Sequence, residues 1–107
     1  MDFIRTISTQ LLPDQQQKLE QVYKRLVSIR CTESAFTEIE LLFLDVLSVF
    51  RNSSSAPFDV FERLQLIQNK EYKFAQNTQL TIKNRVLAIK RFKNSFRLAV
   101  RLAIKTR

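Results

Sequence analysis

From Thr78 to Arg107 the chain reads TQLTIKNRVLAIKRFKNSFRLAVRLAIKTR. Apolar residues recur here every three or four positions, and no proline or glycine interrupts them. The stretch therefore predicts one long amphipathic helix over about residues 78–106, with Asn77 or Thr78 as its cap. With Ile82 at zero on a helical wheel, Ile82, Val86, Ile89, Phe92, Phe96, Ala99, Val100, Ala103 and Ile104 fall within an arc of about 140°. That arc predicts the core-facing side, so Phe92 and Phe96 read as packing residues rather than base-stacking platforms. Beside it runs a lane of cations, Lys83, Lys90, Arg97, Arg101 and Lys105, within about 80° of one another. Arg85, Arg91, Lys93 and Arg107 lie off that lane, as secondary contacts or solvated charges. Leu87, Leu98 and Leu102 form a third, narrower lane opposite the core stripe.

The charge of the whole chain is divided at the start of this helix. From Gln79 onward there are nine Lys and Arg and no Asp or Glu, a net +9. The residues before it carry nine basic and ten acidic groups, a net −1. A helix of cations without acidic neighbours lacks the i,i+4 ion pairs of ordinary surface helices, and its self-repulsion asks for an anionic partner.

The rest of the chain also follows the helical period, and nothing alternates with period two for long enough to suggest a strand. Phe3, Ile4, Ile7 and Leu11 fit a short opening helix over about residues 2–11. Pro13 and Asp14 suit the first turn of the next, about 13–30, where a missing N–H costs nothing and a carboxylate meets the positive helix end. Leu19, Val22, Tyr23, Leu26 and Val27 share its face. Thr32 can cap a helix over about 33–51, with Phe36, Ile39, Phe43, Val46 and Phe50 on the main stripe. That helix also carries Glu33, Glu38, Glu40 and Asp45, and the off-stripe residues Leu41, Leu44 and Val49. The run from Asn52 to Ala56 reads as a loop, and Pro57 starts a helix over about 57–69 whose end, between Gln68 and Gln76, is poorly marked. The expectation is a single all-α domain over residues 1–107, a small bundle of about four helices with a long basic C-terminal one.

Composition narrows the chemistry. The 107 residues contain no histidine and no glycine, which removes the commonest general base and metal ligand, phosphate-cradling loops and the nucleophile elbow. No catalytic residue, metal site or cofactor is expected, and the protein reads as a non-enzyme. Cys31 is the only cysteine, so no disulfide forms within one chain. It reads as a small buried apolar residue, with an intermolecular disulfide as the alternative. No apolar run approaches the ~20 residues that span a bilayer, and Asp2 and Arg5 spoil a signal peptide. An intracellular protein, cytoplasmic or nuclear, without integral membrane association is expected.

The leading functional expectation is sequence-independent binding of RNA or another polyanion along Lys83, Lys90, Arg97, Arg101 and Lys105, since cations spaced along a rigid rod can each meet a phosphate. Duplex RNA is favoured because it is recognised through backbone and shape, while few amides on this helix could read base edges. Leu41, Leu44, Leu87, Leu98 and Leu102 exceed what one small packing needs and suggest a homodimer with two basic helices side by side, the alternative being a monomer that covers them with Phe3, Ile4 and Ile7. In length, in Leu12-Pro13-Asp14 opening a helix and in the Pro-led third helix, the chain resembles the short all-helical dimers with which nodaviruses suppress RNA silencing. The resemblance implies duplex-RNA binding by basic helices and a viral accessory role, although the middle helix that carries RNA contacts in that family is acidic here.

Three rival readings stand beside this one. The basic helix could be neutralised inside the fold by the four carboxylates of the acidic helix. The apolar faces of the second and fourth helices could hold a partner helix, with the positive charge steering an acidic protein. Or the basic amphipathic helix could bind anionic lipid or calmodulin.

Overall fold

The computed structural model describes residues 12–51 and 58–105, and every described element is helical. Helix α1 spans Pro13–Ser28, a short 3-10 turn covers Glu33–Ala35, and α2 spans Phe36–Arg51. Helix α3, Phe58–Ile67, continues through a π-helical stretch, Gln68–Tyr72, into a last turn at Lys73–Ala75. Helix α4, Ile82–Lys105, packs against all of them. The all-α bundle expected from periodicity is the fold. The opening helix with Phe3, Ile4 and Ile7, the 52–56 loop and the Pro57 start fall outside the described residues.

Local chemistry explains the helix starts. Pro13 occupies the first turn of α1, and the Gln15 side chain folds back to accept the Leu12 backbone N–H at 3.0 Å. This bond satisfies one of the donors that a helix N-terminus leaves without a partner. Gln15 is buried at 3 % exposure, which the pattern of apolar residues did not signal. Helix α4 begins at Ile82, four residues later than expected. Asn77 instead closes a turn, its Oδ1 accepting the Gln79 N–H at 3.0 Å, and Thr81 is the cap, its Oγ1 accepting the Asn84 N–H at 3.3 Å. Thr32 precedes the 3-10 turn in extended conformation, but its hydroxyl meets Ser34 rather than a helix N–H.

The third helix runs further than 69 because of its π-helical stretch. Val60, Leu64 and Ile67 are buried at ordinary α spacing, and the next inward position would be Glu71. One extra residue in the turn makes the following inward residues Tyr72 and Ala75, five and eight positions after Ile67. Glu71 stays half-buried beside the core, accepting a hydrogen bond from Ser95 at 3.0 Å.

The core centres on aromatic rings from three helices. Phe43 of α2 meets Phe92 and Phe96 of α4 edge-on, both at 5.0 Å between centroids, and Tyr72 at 5.4 Å. Such tilted and edge-to-face pairs match the negative face of one ring to the positive edge of the next. On α4, Ile89, Phe92, Phe96, Ala99, Val100 and Ala103 are buried as expected. Ile82 is not; it is 71 % exposed, and Ala88 is buried in addition. Ile82 is the first residue of α4 and lies ahead of Arg85, which packs over Phe36, and of the buried Ala88 and Ile89. Cys31 is free and half-buried between the first two helices. Among the described residues, no helix is long and apolar enough to cross a membrane.

Candidate nucleic-acid interface

Helix α4 buries one side against the rest of the bundle and leaves the other open. Lys83, Lys90, Arg91 and Arg101 are exposed, and Arg97 sits half-buried at the edge of the same open side. From Lys83 to Arg101 the helix rises about 27 Å. Lys105 closes α4, but its side chain, like Arg107, lies outside the described residues.

Among the described residues, the acidic helix does not neutralise this row. Asp45 pairs with Lys18, and Glu38 accepts a hydrogen bond from the Nε of Arg25, both on α1. That hydrogen bond holds the Glu38 carboxyl below its ordinary range and raises Arg25 in turn. Glu40 accepts the Tyr72 hydroxyl at 2.5 Å. Glu33 lies 3.9 Å from Arg85. Among the described residues, Arg85 is the only α4 cation within ion-pairing distance of a carboxylate.

Two of the expected secondary contacts are therefore engaged within the fold. Arg85 is half-buried, with its guanidinium 5.7 Å above the Phe36 ring in addition to its neighbour Glu33. Lys93 donates from Nζ to the Ile29 carbonyl, where α1 ends. A cation there meets the negative end of the helix dipole and satisfies one of its unpartnered carbonyls. Arg91 remains exposed.

The packing of α1 beside the row adds residues that no single-helix pattern could reveal. Tyr23 and Lys24 line an open hollow of about 630 Å³ with Arg101 and Ile104. Lys24 extends the cationic surface, while Glu20, held at 2.7 Å by the Gln16 amide, places one carboxylate in the same hollow. The signal was the 3-4 spacing of Glu20, Tyr23, Lys24 and Val27. It becomes informative only once α1 is known to run antiparallel to α4.

The five leucines read as a self-association set do not make one surface. Leu41 and Leu44 are exposed on the outer side of α2, about 160° and 100° around the helix from Phe43. Leu87 and Leu98 are exposed on the outer side of α4, about 150° from Phe92 and Phe96, and Leu102 is half-buried. Phe43 touches Phe92 and Phe96, so the two outer sides face away from each other. Leu87 and Leu98 also share their side of α4 with the cations, and pairing two such helices directly would set like charges against each other.

No protein-family model, curated protein or solved structure matches the chain.

Proposed function

We propose that the protein is a non-catalytic binder of nucleic-acid backbone, with duplex RNA as the favoured ligand, and that Lys83, Lys90, Arg97 and Arg101 meet successive phosphates. One observation supports the reading above others: these cations line an open helix side without a carboxylate partner among the described residues, while the acidic helix is matched by α1 and Tyr72. Phosphates are the partner such a row lacks. Lys24 and Arg91 are added as flanking contacts; Arg85 and Lys93 act in holding the bundle together. The roles of Lys105 and Arg107 as further contacts belong to the same reading, as does a viral accessory role inside the cell.

A partner helix lying on the inner apolar faces of α2 and α4 would have to displace the Phe43–Phe92–Phe96 contacts, which favours the phosphate reading over that rival. A homodimer, if it forms, uses either the α2 leucines or the α4 leucines, and only the first avoids opposing cations.

The test is a binding comparison of duplex RNA, duplex DNA and single-stranded RNA at low salt, with mass measurement of the free protein. Duplex RNA should bind tightest and without sequence preference. Absence of binding to all three would overturn the proposal.

A further inference from the structure

The seam between α4 and the helix running from Phe58 to Ala75 carries a second chemistry. Across it, Leu66, Leu98, Phe74 and Leu87 are 63 %, 50 %, 48 % and 46 % exposed. The contacts of Glu71 with Ser95 and of Tyr72 with Phe92 show that the two helices run antiparallel. Leu66 and Leu98 therefore stand opposite each other, and they line one hollow of about 530 Å³. Phe74 lines a second hollow of about 410 Å³, and counting antiparallel from the Glu71–Ser95 and Tyr72–Phe92 contacts brings it level with Arg91, one turn after Leu87. Asn69 and Lys70 line both hollows, so the surface is continuous. Its cations are Arg63, Lys70 and Lys73, with Arg91 one turn after Leu87 on α4. Of the described carboxylates nearby, Glu62 sits one turn before Leu66 and Glu71 is bonded to Ser95.

An occupant must satisfy both the apolar and the cationic groups. Nucleic-acid phosphates would meet the lysines and arginines but leave three leucines and a phenylalanine in water. A second copy would bring its own cations against these. A single acidic helix would follow one groove line, whereas these residues spread over two helices and about 16 Å of α4 between Leu87 and Leu98. A sheet of anionic headgroups over acyl chains offers phosphate and hydrocarbon across a plane.

We propose that this seam docks on anionic lipid bilayers, with Leu66, Phe74, Leu87 and Leu98 entering the headgroup boundary and Arg63, Lys70, Lys73 and Arg91 meeting lipid phosphates. The surface is a different edge of α4 from the row assigned to nucleic acid, and of the cations assigned to phosphate contacts the two share only Arg91. The full chain should co-sediment with vesicles of phosphatidylcholine and phosphatidylserine, and far less with phosphatidylcholine alone. Leu66→Ser combined with Phe74→Ser, checked for unchanged helicity, should weaken vesicle binding on the order of tenfold or more and leave duplex-RNA affinity unchanged. Lys70→Glu should weaken vesicle binding without restoring it on neutral lipid. The proposal is overturned if phosphatidylserine vesicles are not bound, or if the Leu66 and Phe74 double variant binds them as well as the parent. It is overturned equally if that variant converts a dimer to a monomer, because a second copy would then cover the seam. Arg97 and Arg101 lie outside the seam, so loss of RNA binding through them tests the nucleic-acid reading separately.

Discussion

The hydroxyl of Tyr72 donates to the Glu40 carboxylate at 2.5 Å and accepts the Gln76 amide at 3.0 Å, while its ring packs on Phe36, Phe43 and Phe92. One residue thereby fastens the end of the third helix to the acidic helix and to the basic one. It also occupies Glu40, a carboxylate that could otherwise have faced a cation. Burial first, and then the hydrogen bond to Glu40, push the Tyr72 phenol up from 10.0 to about 12.

Tyr72→Phe should keep the ring contacts and lose the hydroxyl bonds. The expected cost is about 1–2 kcal/mol in urea unfolding. Tyr72→Ala should cost about 3–5 kcal/mol, because it opens a cavity among three aromatic rings. The phenol also sets a pH window. Its folded pKa is raised, so the native state holds the proton where the unfolded chain has released it. That stabilisation is complete below pH 10 and is lost as pH rises toward about 12. Unfolding midpoints measured through this range should fall more steeply for the parent than for Tyr72→Phe.

Duplex-RNA binding should weaken with salt at a slope of log K against log[salt] of about −4, as expected if four or five phosphates are neutralised per chain. Arg97→Glu combined with Arg101→Glu should abolish binding and leave far-ultraviolet circular dichroism unchanged. Glu38→Gln and Glu40→Gln should leave affinity unaltered, since their partners are Arg25 and Tyr72. A flat salt profile, or equal losses from the glutamate changes, would contradict this assignment.

Lys93 is a cation of the same helix with a different duty. Lys93→Met keeps the aliphatic stem but strands the Ile29 carbonyl at the end of α1. Stability should fall by about 1–2 kcal/mol, while RNA affinity changes far less than with the Arg97 and Arg101 reversals. Parallel denaturation and binding titrations separate the two effects.

The π-helical stretch predicts an unusual tolerance. Deleting Asn69 should convert Gln68–Tyr72 to ordinary α-helix with Tyr72 and Ala75 still facing inward. Deleting Leu42 from the regular α2 should instead swing Phe43, Val46 and Phe50 about 100° away from the core. Cooperative thermal unfolding should survive the first deletion and fail after the second.

The period of the apolar residues made most of the bundle legible, and it failed at particular places for local reasons. Ile82 carries the right phase for burial but is the first residue of α4, ahead of the packed part that starts near Arg85 and Ala88. Tyr72 was hidden because the extra residue before it breaks the 3-4 spacing that marks Leu64 and Ile67. Gln15 is buried for its backbone bond, which hydrophobicity does not report. In the candidate site the row itself was readable, since all its members share one helix. Lys24, the engagement of Lys93 and the exposure of Leu66 beside Leu98 were not, because each depends on which helix lies alongside.

By itself the sequence determined the helical class, the inward side of the long last helix and the concentration of unopposed charge on it. All three follow from spacing along one chain and from composition. Only the tertiary structure decided which charges stay unopposed. Coulomb pairing and hydrogen bonding act over a few ångströms, so they depend on helix–helix registry. In this registry α1, rather than α4, meets Glu38 and Asp45; Tyr72 takes Glu40; and Arg85 and Lys93, which lie off the row, are engaged by Glu33, Phe36 and the Ile29 carbonyl.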